Sequence, residues 1–256
     1  MPAIISNDEG KGKKYALWKA ISHAESEYVW LRDDDVFHTA EEKVQTAEYL
    51  SSHTLNADMY ILPLSMSAGD GNLLCQLQQT EYAAIQSLTM LTAELHHPVM
   101  CAGANLIVRR SCWLDCYQDL HLDLPSGDDM FLLESFKRRS FTVSVLSSPF
   151  IAHISPEPTL RALLRQRMRW AGKAAHYTDK DIVLCGIVVA ISNILAVSVP
   201  PFFILKFAFD WYLISRGKRY GIQSKHTGRR AFLLSLIYPW YMLICIVGGF
   251  FNPQRW

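Results

Sequence analysis

Three things are scarce in this sequence, and each scarcity removes a class of answer. The first is charge imbalance: 25 Lys+Arg stand against 24 Asp+Glu. The chain as a whole offers no basic field for nucleic acid, and no nucleic-acid partner is expected. The second is paired cysteine. The six cysteines, at 75, 101, 112, 116, 185 and 245, form no CxxC and no zinc-type spacing. They read as free thiols in a reducing compartment. The third is acid in the C-terminal part, where Asp210 is the only Asp or Glu after Asp181. The N-terminus also lacks an apolar stretch long enough for a signal peptide, so the folded part is expected in the cytoplasm. Neither an internal repeat nor a low-complexity stretch is present.

What fills the C-terminal part is apolar. Residues 182–205 and 231–254 are each 24 residues without a charge, and an apolar helix needs about 20 residues to cross a bilayer. Between them, residues 216–230 carry six Lys/Arg and no acid, the pattern of a cytoplasmic loop. If both the folded part and that loop are cytoplasmic, 182–215 crosses twice or not at all. Pro200-Pro201 interrupts the run where one helix stops and another can start. This predicts short helices over 182–199 and 201–215, with an interfacial second helix as the alternative. In that second helix Lys206 and Asp210 stand four apart, within reach of an ion pair.

The first part of the chain alternates two patterns. Residues 11–25, 39–52, 72–94, 129–139 and 158–176 read as helices, and 28–32, 57–64, 105–110 and 142–148 as extended segments. Strands alternating with helices predict an α/β domain with a mainly parallel sheet and flanking helices over 1–180. A membrane region with two or three apolar helices follows over 181–256. Within 72–94, Leu73, Leu74, Leu77, Tyr82, Ile85, Leu88 and Leu91 read as core packing. His96-His97 reads as a loop rather than a metal site.

Three constellations carry chemistry. Asp33-Asp34-Asp35 follows the apolar strand 28–32, and acids at the carboxyl end of a strand in an open α/β sheet lie where ligands bind. A hard cation bridging phosphate oxygens would relieve their mutual repulsion. Alternation points Asp33 and Asp35 one way and Asp34 the other. A solvated acidic turn is the bland alternative. Ser126-Gly127-Asp128-Asp129 opens a helix, where Asp is ordinary capping, but one carboxylate facing a cleft is also a candidate base for an acceptor hydroxyl. Gln166-Arg167-Met168-Arg169-Trp170 lies on a helix that also carries Arg161 and Arg165. That basic helix suits anionic membrane lipid. It equally offers Arg to a phosphate and a flat ring to a sugar.

Taken in order, these motifs and the apolar runs behind them resemble the D,D,D,QxxRW group of family 2 glycosyltransferases, which includes cellulose, hyaluronan and poly-N-acetylglucosamine synthases. Lys11-Gly12-Lys13-Lys14-Tyr15-Ala16-Leu17 resembles the GKAGAL-like segment of that group. Cys101-Ala102-Gly103-Ala104-Asn105, followed by Arg109-Arg110, resembles its CGS…LRR segment at the acceptor entrance. The resemblance is collinear from near residue 9 to the C-terminus. It implies a GT-A-like fold and inverting transfer from a nucleotide-diphosphate sugar, UDP-linked first of all, to a glycan or lipid-linked acceptor. It places the reaction at the cytoplasmic face of the inner membrane, with Mg2+ or Mn2+ as cofactor. By it Asp33 and Asp35 hold the metal and the donor diphosphate, Lys13 lies near the nucleotide, and Gln166 and Arg169 bind the diphosphate. Trp170, Cys101 and Gly103 face the acceptor. Asp129 is the catalytic base, with Asp128 the other candidate.

The sequence departs from the group in three places. The group begins with a βαβ unit that carries uracil contacts and a first essential Asp; no apolar strand precedes Lys11 beyond residues 2–6, so that unit is expected to be missing. The TED motif reads Gly127-Asp128-Asp129. The chain stops at Gln254-Arg255-Trp256, where relatives often continue with basic residues. Two other readings stay open: a non-catalytic membrane partner that keeps the fold, and a metal-dependent phosphohydrolase built on the three adjacent acids. The latter leaves the Gln166–Trp170 motif without a role.

Overall fold

A computed structural model describes residues 12–67, 71–124, 126–147, 149–222 and 227–251. Residues 1–11, 68–70, 125, 148, 223–226 and 252–256 lie outside the described residues. From the N-terminus the elements are α1 (Lys13–His23), β1 (Tyr28–Arg32), α2 (Ala40–Ser52), β2 (Met59–Ile61), β3 (Leu64–Met66) and α3 (Leu73–Glu94). Then come β4 (Asn105–Arg109), α4 (Arg110–Cys116), α5 (Asp128–Arg138), β5 (Val143–Val145) and β6 (Ala152–Ile154). The chain closes with α6 (Leu160–Gly172), α7 (Lys180–Ser198), α8 (Pro200–Arg216) and α9 (Thr227–Phe251).

The main sheet has the order β1-β4-β2-β5. β1 and β2 each pair antiparallel with β4, and β5 pairs parallel with β2. Three of the four strands therefore share one direction, and β4 alone is reversed. All three residues of β2 are buried, and its Met-Tyr-Ile run is what a strand covered on both faces requires. Met59, Ile61, Leu106, Val108, Trp113, Leu133 and Phe136 form the core between this sheet, α4 and α5.

The extended stretch 57–64 is two strands, not one. Pro63 has no N–H to donate to a ladder, and there the chain leaves the main sheet and enters a second, parallel pair, β3 with β6. Asn105 joins the two sheets. Its buried side-chain amide donates to the Pro63 carbonyl at 2.9 Å and the Phe150 carbonyl at 2.8 Å, and its carbonyl accepts from Trp30 Nε1 at 2.9 Å. Helix starts are set by ordinary caps. Thr39 forms a reciprocal capping box with Glu42 at α2, and Asn72 and Thr159 accept from backbone amides at α3 and α6. The helix over 158–176 is shorter than expected: it ends at Gly172, and a 3-10 turn spans Ala174–His176.

The apolar run 182–215 is broken where the two prolines predict. Val199 is extended, and Pro200 and Pro201 occupy the first positions of α8, where a missing N–H costs nothing. α7 and α9 are long and apolar enough to cross a membrane by length and composition. Only 17% of the α7 window and 28% of the α9 window is buried, so neither is a core helix of the α/β domain. Their outward faces carry Leu184, Val188, Ile191, Trp240, Ile244 and Val247. In α8, Lys206 pairs with Asp210, its ammonium lies 4.9 Å from the Tyr238 ring of α9, and Ser235 donates to Asp210. The charges of this helix thus turn inward against α9. The three C-terminal helices pack on one another, and α8 and α9 also pack on α3, while α6 packs on α9.

Candidate active site

The site begins at the end of β1. The chain turns at Asp33, with the Val36 amide donating to the Asp33 carbonyl at 3.3 Å, and Phe37 then bridges to His153 of β6. That bridge pins the acidic turn beside the second sheet. Asp33 and Asp35 line a cavity of about 890 Å3, and Asp34 does not. Lys13, in the first turn of α1, donates to Asp33 at 2.8 Å and lies 3.4 Å from Asp128. Burial works to lower the Lys13 pKa, but Asp128, Asp33 and Asp129 outweigh it and raise the pKa well above its ordinary value. Lys13 is thus held as a cation between two acidic motifs.

Lys14 faces the other way. Its buried ammonium donates to the His121 and Leu124 carbonyls at 2.6 and 2.7 Å and ties α1 to the segment that leads into α5. There Gly127 has φ +90°, and a Cβ on it would meet Phe131 at 2.9 Å and Lys173 at 3.1 Å. Both the backbone conformation and the space demand glycine. This turn brings Asp128 and Asp129 to the cavity at the start of α5.

Asp129 is half-buried. Its Oδ1 accepts from the Met130 amide at 2.8 Å and its Oδ2 from the Gly103 amide at 3.4 Å. Burial, then the charge of Asp128, raises its pKa above the ordinary carboxylate value, against the opposing pull of Lys173 and the two amides. The Cys101 thiol donates to the Asp129 carbonyl at 3.2 Å. Burial with Asp129 and Asp128 pushes that thiol well up, which disfavours the thiolate.

On α6 the arginines divide. Arg167 is buried and pairs with Glu81 of α3 through contacts of 2.9 and 3.3 Å; the two side chains are 7% and 5% exposed. Arg169 lines the cavity. The Arg167 guanidinium also lies 4.1 Å from the Trp170 ring, which fixes the plane of a ring that is 37% exposed. Gln166 lines the cavity, donates to Glu157 at 2.8 Å and accepts from Arg167. Glu157 is in turn clamped to Gln78 of α3 by two bonds of 2.9 Å.

All ten residues singled out from the sequence line this one cavity: Lys13, Asp33, Asp35, Cys101, Gly103, Asp128, Asp129, Gln166, Arg169 and Trp170. Sequence reasoning passed over three polar neighbours, Glu157, Lys173 and Tyr177. A signal for Lys173 was available, since it follows Arg169 by four and Trp170 by three, the spacing of one helix face. Burial lowers the pKa of Lys173, with Asp129 opposing. The reading of 72–94 as core packing holds for Tyr82, which is buried with Leu64, Met66 and Ala152, but not for the whole face. Ile85 and Leu88 line the cavity and Leu73 is exposed, because helical period marks an apolar face without saying what covers it. His97 lies 3.2 Å from Asp181.

Among the described residues no group of three or more His, Cys, Asp or Glu could hold a metal ion. Asp33 and Asp35 supply two carboxylates to the cavity. Mg2+ is commonly bound by one or two carboxylates with phosphate and water completing its shell, so these residues fit a cation that arrives with a diphosphate. No curated protein matches this chain significantly. The family model described as glycosyltransferase like family 2 matches residues 3–173. The match covers well over half of the chain, including all ten residues singled out from the sequence, and the chain therefore belongs to the family 2-like glycosyltransferases, whose chemistry is glycosyl transfer.

Proposed function

We propose that this chain is an inverting transferase of the D,D,D,QxxRW group, which moves a sugar from a nucleoside diphosphate, UDP first of all, to an acceptor hydroxyl at the cytoplasmic membrane face. One observation carries the reading: motifs separated by most of the domain converge on one cavity, with a half-buried carboxylate among cations. Lys13 and Arg169, with Lys173 beside them, supply positive charge for the donor diphosphate. Gln166, oriented by Glu157, adds a polar contact. A Mg2+ or Mn2+ ion held by Asp33 and Asp35 would add charge that stabilises the leaving diphosphate.

Asp129 does the proton work. Its raised pKa makes it a stronger base than an ordinary Asp. It takes the hydroxyl proton as the acceptor oxygen bonds to the anomeric carbon from the face opposite the diphosphate. The bond from that carbon to the phosphate oxygen breaks, and its electron pair leaves with the diphosphate. A single displacement inverts the anomeric centre, by the geometry that inverting hydrolases use with water. Trp170 presents a face on which the acceptor sugar or headgroup can rest. In this reading residues 1–180 are the cytoplasmic catalytic part, 181–256 is the membrane part, and the arginines of α6 lie at the lipid surface.

The test is release of nucleoside diphosphate from a panel of UDP-sugars by the protein in its membranes, with Mg2+ or Mn2+ and again with EDTA. The expected result is metal-dependent release that falls about 10²–10⁴-fold in Asp129→Asn. No release from any nucleotide sugar by folded protein, with lipid and glycan acceptors both offered, contradicts the reading and favours a non-catalytic membrane partner.

A further inference from the structure

The cavity does not end at the carboxylates. Past Asp129 it continues between the C-terminal helices, walled by Leu88 of α3, Gly186, Val189 and Ala190 of α7, and Met242 and Ile246 of α9. Among the described residues, no lining residue from Ile182 onward carries a side-chain N–H or O–H. Two polar residues of α3 in the wall already have a partner within the helix: Gln86 donates to Tyr82, and Thr89 to the Ile85 carbonyl. Where a Cβ of Gly186 would stand, nothing lies within 4 Å. The lining of α7 from Ile182 to Ala190 spans roughly 12 Å at the helical rise of about 1.5 Å per residue.

One chemistry fits an arm of this kind. A glycan threaded through it would lose water from its hydroxyls and find few hydrogen-bond partners in the wall. An apolar chain loses nothing there and leaves water. Val183 and Ile187 line the arm yet are 38% and 49% exposed, so the arm opens sideways onto the apolar surface of α7. That opening suits entry from a bilayer rather than from water. At the other end stand the carboxylate of Asp129 and the basic side chains of Lys13, Arg169 and Lys173, which suits a hydroxyl that must lose its proton.

Resting on the transferase reading, we infer that the acceptor is a hydroxyl-bearing membrane lipid, whose chain lies in the arm between α3, α7 and α9 while its hydroxyl reaches Asp129. The acceptor oxygen forms the new glycosidic bond, its proton passes to Asp129, and the diphosphate leaves with the electron pair of the broken bond. The product stays in the membrane as a glycolipid.

The experiment uses the full protein in nanodiscs made with total membrane lipid extract, given radiolabelled UDP-sugars. The comparison is wild type with Gly186→Trp, which fills the arm, and with Leu184→Trp on the outward face, where Leu184 is 60% exposed and does not line the cavity. Label partitioning into organic solvent, stable to mild acid, lost tenfold or more in Gly186→Trp and kept in Leu184→Trp, is the expected result. A diacylglycerol with a photoactivatable acyl chain should label Met242 or Ile246 in wild type and at least fivefold less in Gly186→Trp. This second readout needs no turnover. Nucleoside diphosphate released with label only in water-soluble glycan overturns the inference and leaves the transferase reading standing. Label that mild acid frees marks a phosphate as the attacking group and overturns it too. Absence of release from any donor overturns the transferase reading and this inference with it.

Discussion

Two regions of this molecule use the same apolar residues in opposite directions. In the α/β layer, Met59, Leu106, Val108 and Phe136 are wholly buried between sheet and helices. In α7 and α9, Leu184, Val188, Trp240 and Val247 face outward. A similar stock of side chains is turned inward in one region and outward in the other, where it leaves an apolar exterior. The seam between them is polar. Arg167 pairs with Glu81, Lys137 binds Asp179 and Asp181 at 2.5 and 2.9 Å, and Tyr220 donates to Glu94 at 2.9 Å. The cavity lies between the same two regions, lined by Asp33, Asp129 and Arg169 on one side and by Val189, Met242 and Ile246 on the other.

The seam is the place to break the comparison. Glu81→Ala leaves the Arg167 guanidinium buried without its partner, and the expected loss of stability is about 3–5 kcal/mol, read by thermal or denaturant unfolding in detergent. A loss below about 1 kcal/mol, the range of exposed pairs, would show that the seam does not depend on this pair. Gly249→Leu comes next. A Cβ on Gly249 would stand 2.7 Å from the Met168 carbonyl oxygen and 2.8 Å from the Gly172 amide nitrogen, both backbone atoms of α6. The helix must shift, at an expected cost of about 1–3 kcal/mol, and Arg169 and Trp170 shift with it, so transfer should fall as well. Unchanged transfer would mean that the contact of α9 with α6 does not set the site.

Smaller effects sharpen the contrast. The Lys13 side chain is 46% exposed, so Lys13→Ala should change stability by less than about 1 kcal/mol while raising KM for the donor. The smallest effect concerns pH. The pKa of Asp129 is raised from 3.8 in the folded protein, so the folded state holds the proton more tightly than the unfolded chain. Its contribution to stability is fully present below the unfolded value and is lost as pH rises through the folded value. Activity runs the other way, because only the carboxylate is a base. Asp129→Asn should therefore flatten both profiles, and unfolding midpoints across acid pH, set beside initial rates, check the opposed signs.

Much of this arrangement was legible in local pattern. Thr39 and Asn72 mark helix starts, Pro200-Pro201 marks the break between α7 and α8, and the alternation of Asp33, Asp34 and Asp35 separates two cavity residues from an outward one. What escaped is non-local. β6 is three residues long with His153 at its centre, and it is a strand only because β3, far away in sequence, pairs with it. α4 is seven residues long and too short to show a period. Arg167 and Arg169 look alike in sequence, and only the position of Glu81 on α3 makes one structural and leaves the other to the cavity. The apolar face of α3 was visible, but whether it meets protein or an open cavity is decided by α7 and α9.

The most direct test of the account is the rate of transfer by Asp129→Asn beside Asp128→Asn, with one donor and one lipid acceptor at neutral pH. Asp129 accepts the Gly103 and Met130 amides and has the raised pKa, whereas Asp128 faces Lys13. The account predicts a loss of about 10²–10⁴-fold for Asp129→Asn, unfolding no easier than wild type, and a much smaller loss for Asp128→Asn. The reverse order, or equal rates for wild type and Asp129→Asn, would contradict the assignment of Asp129 as the base.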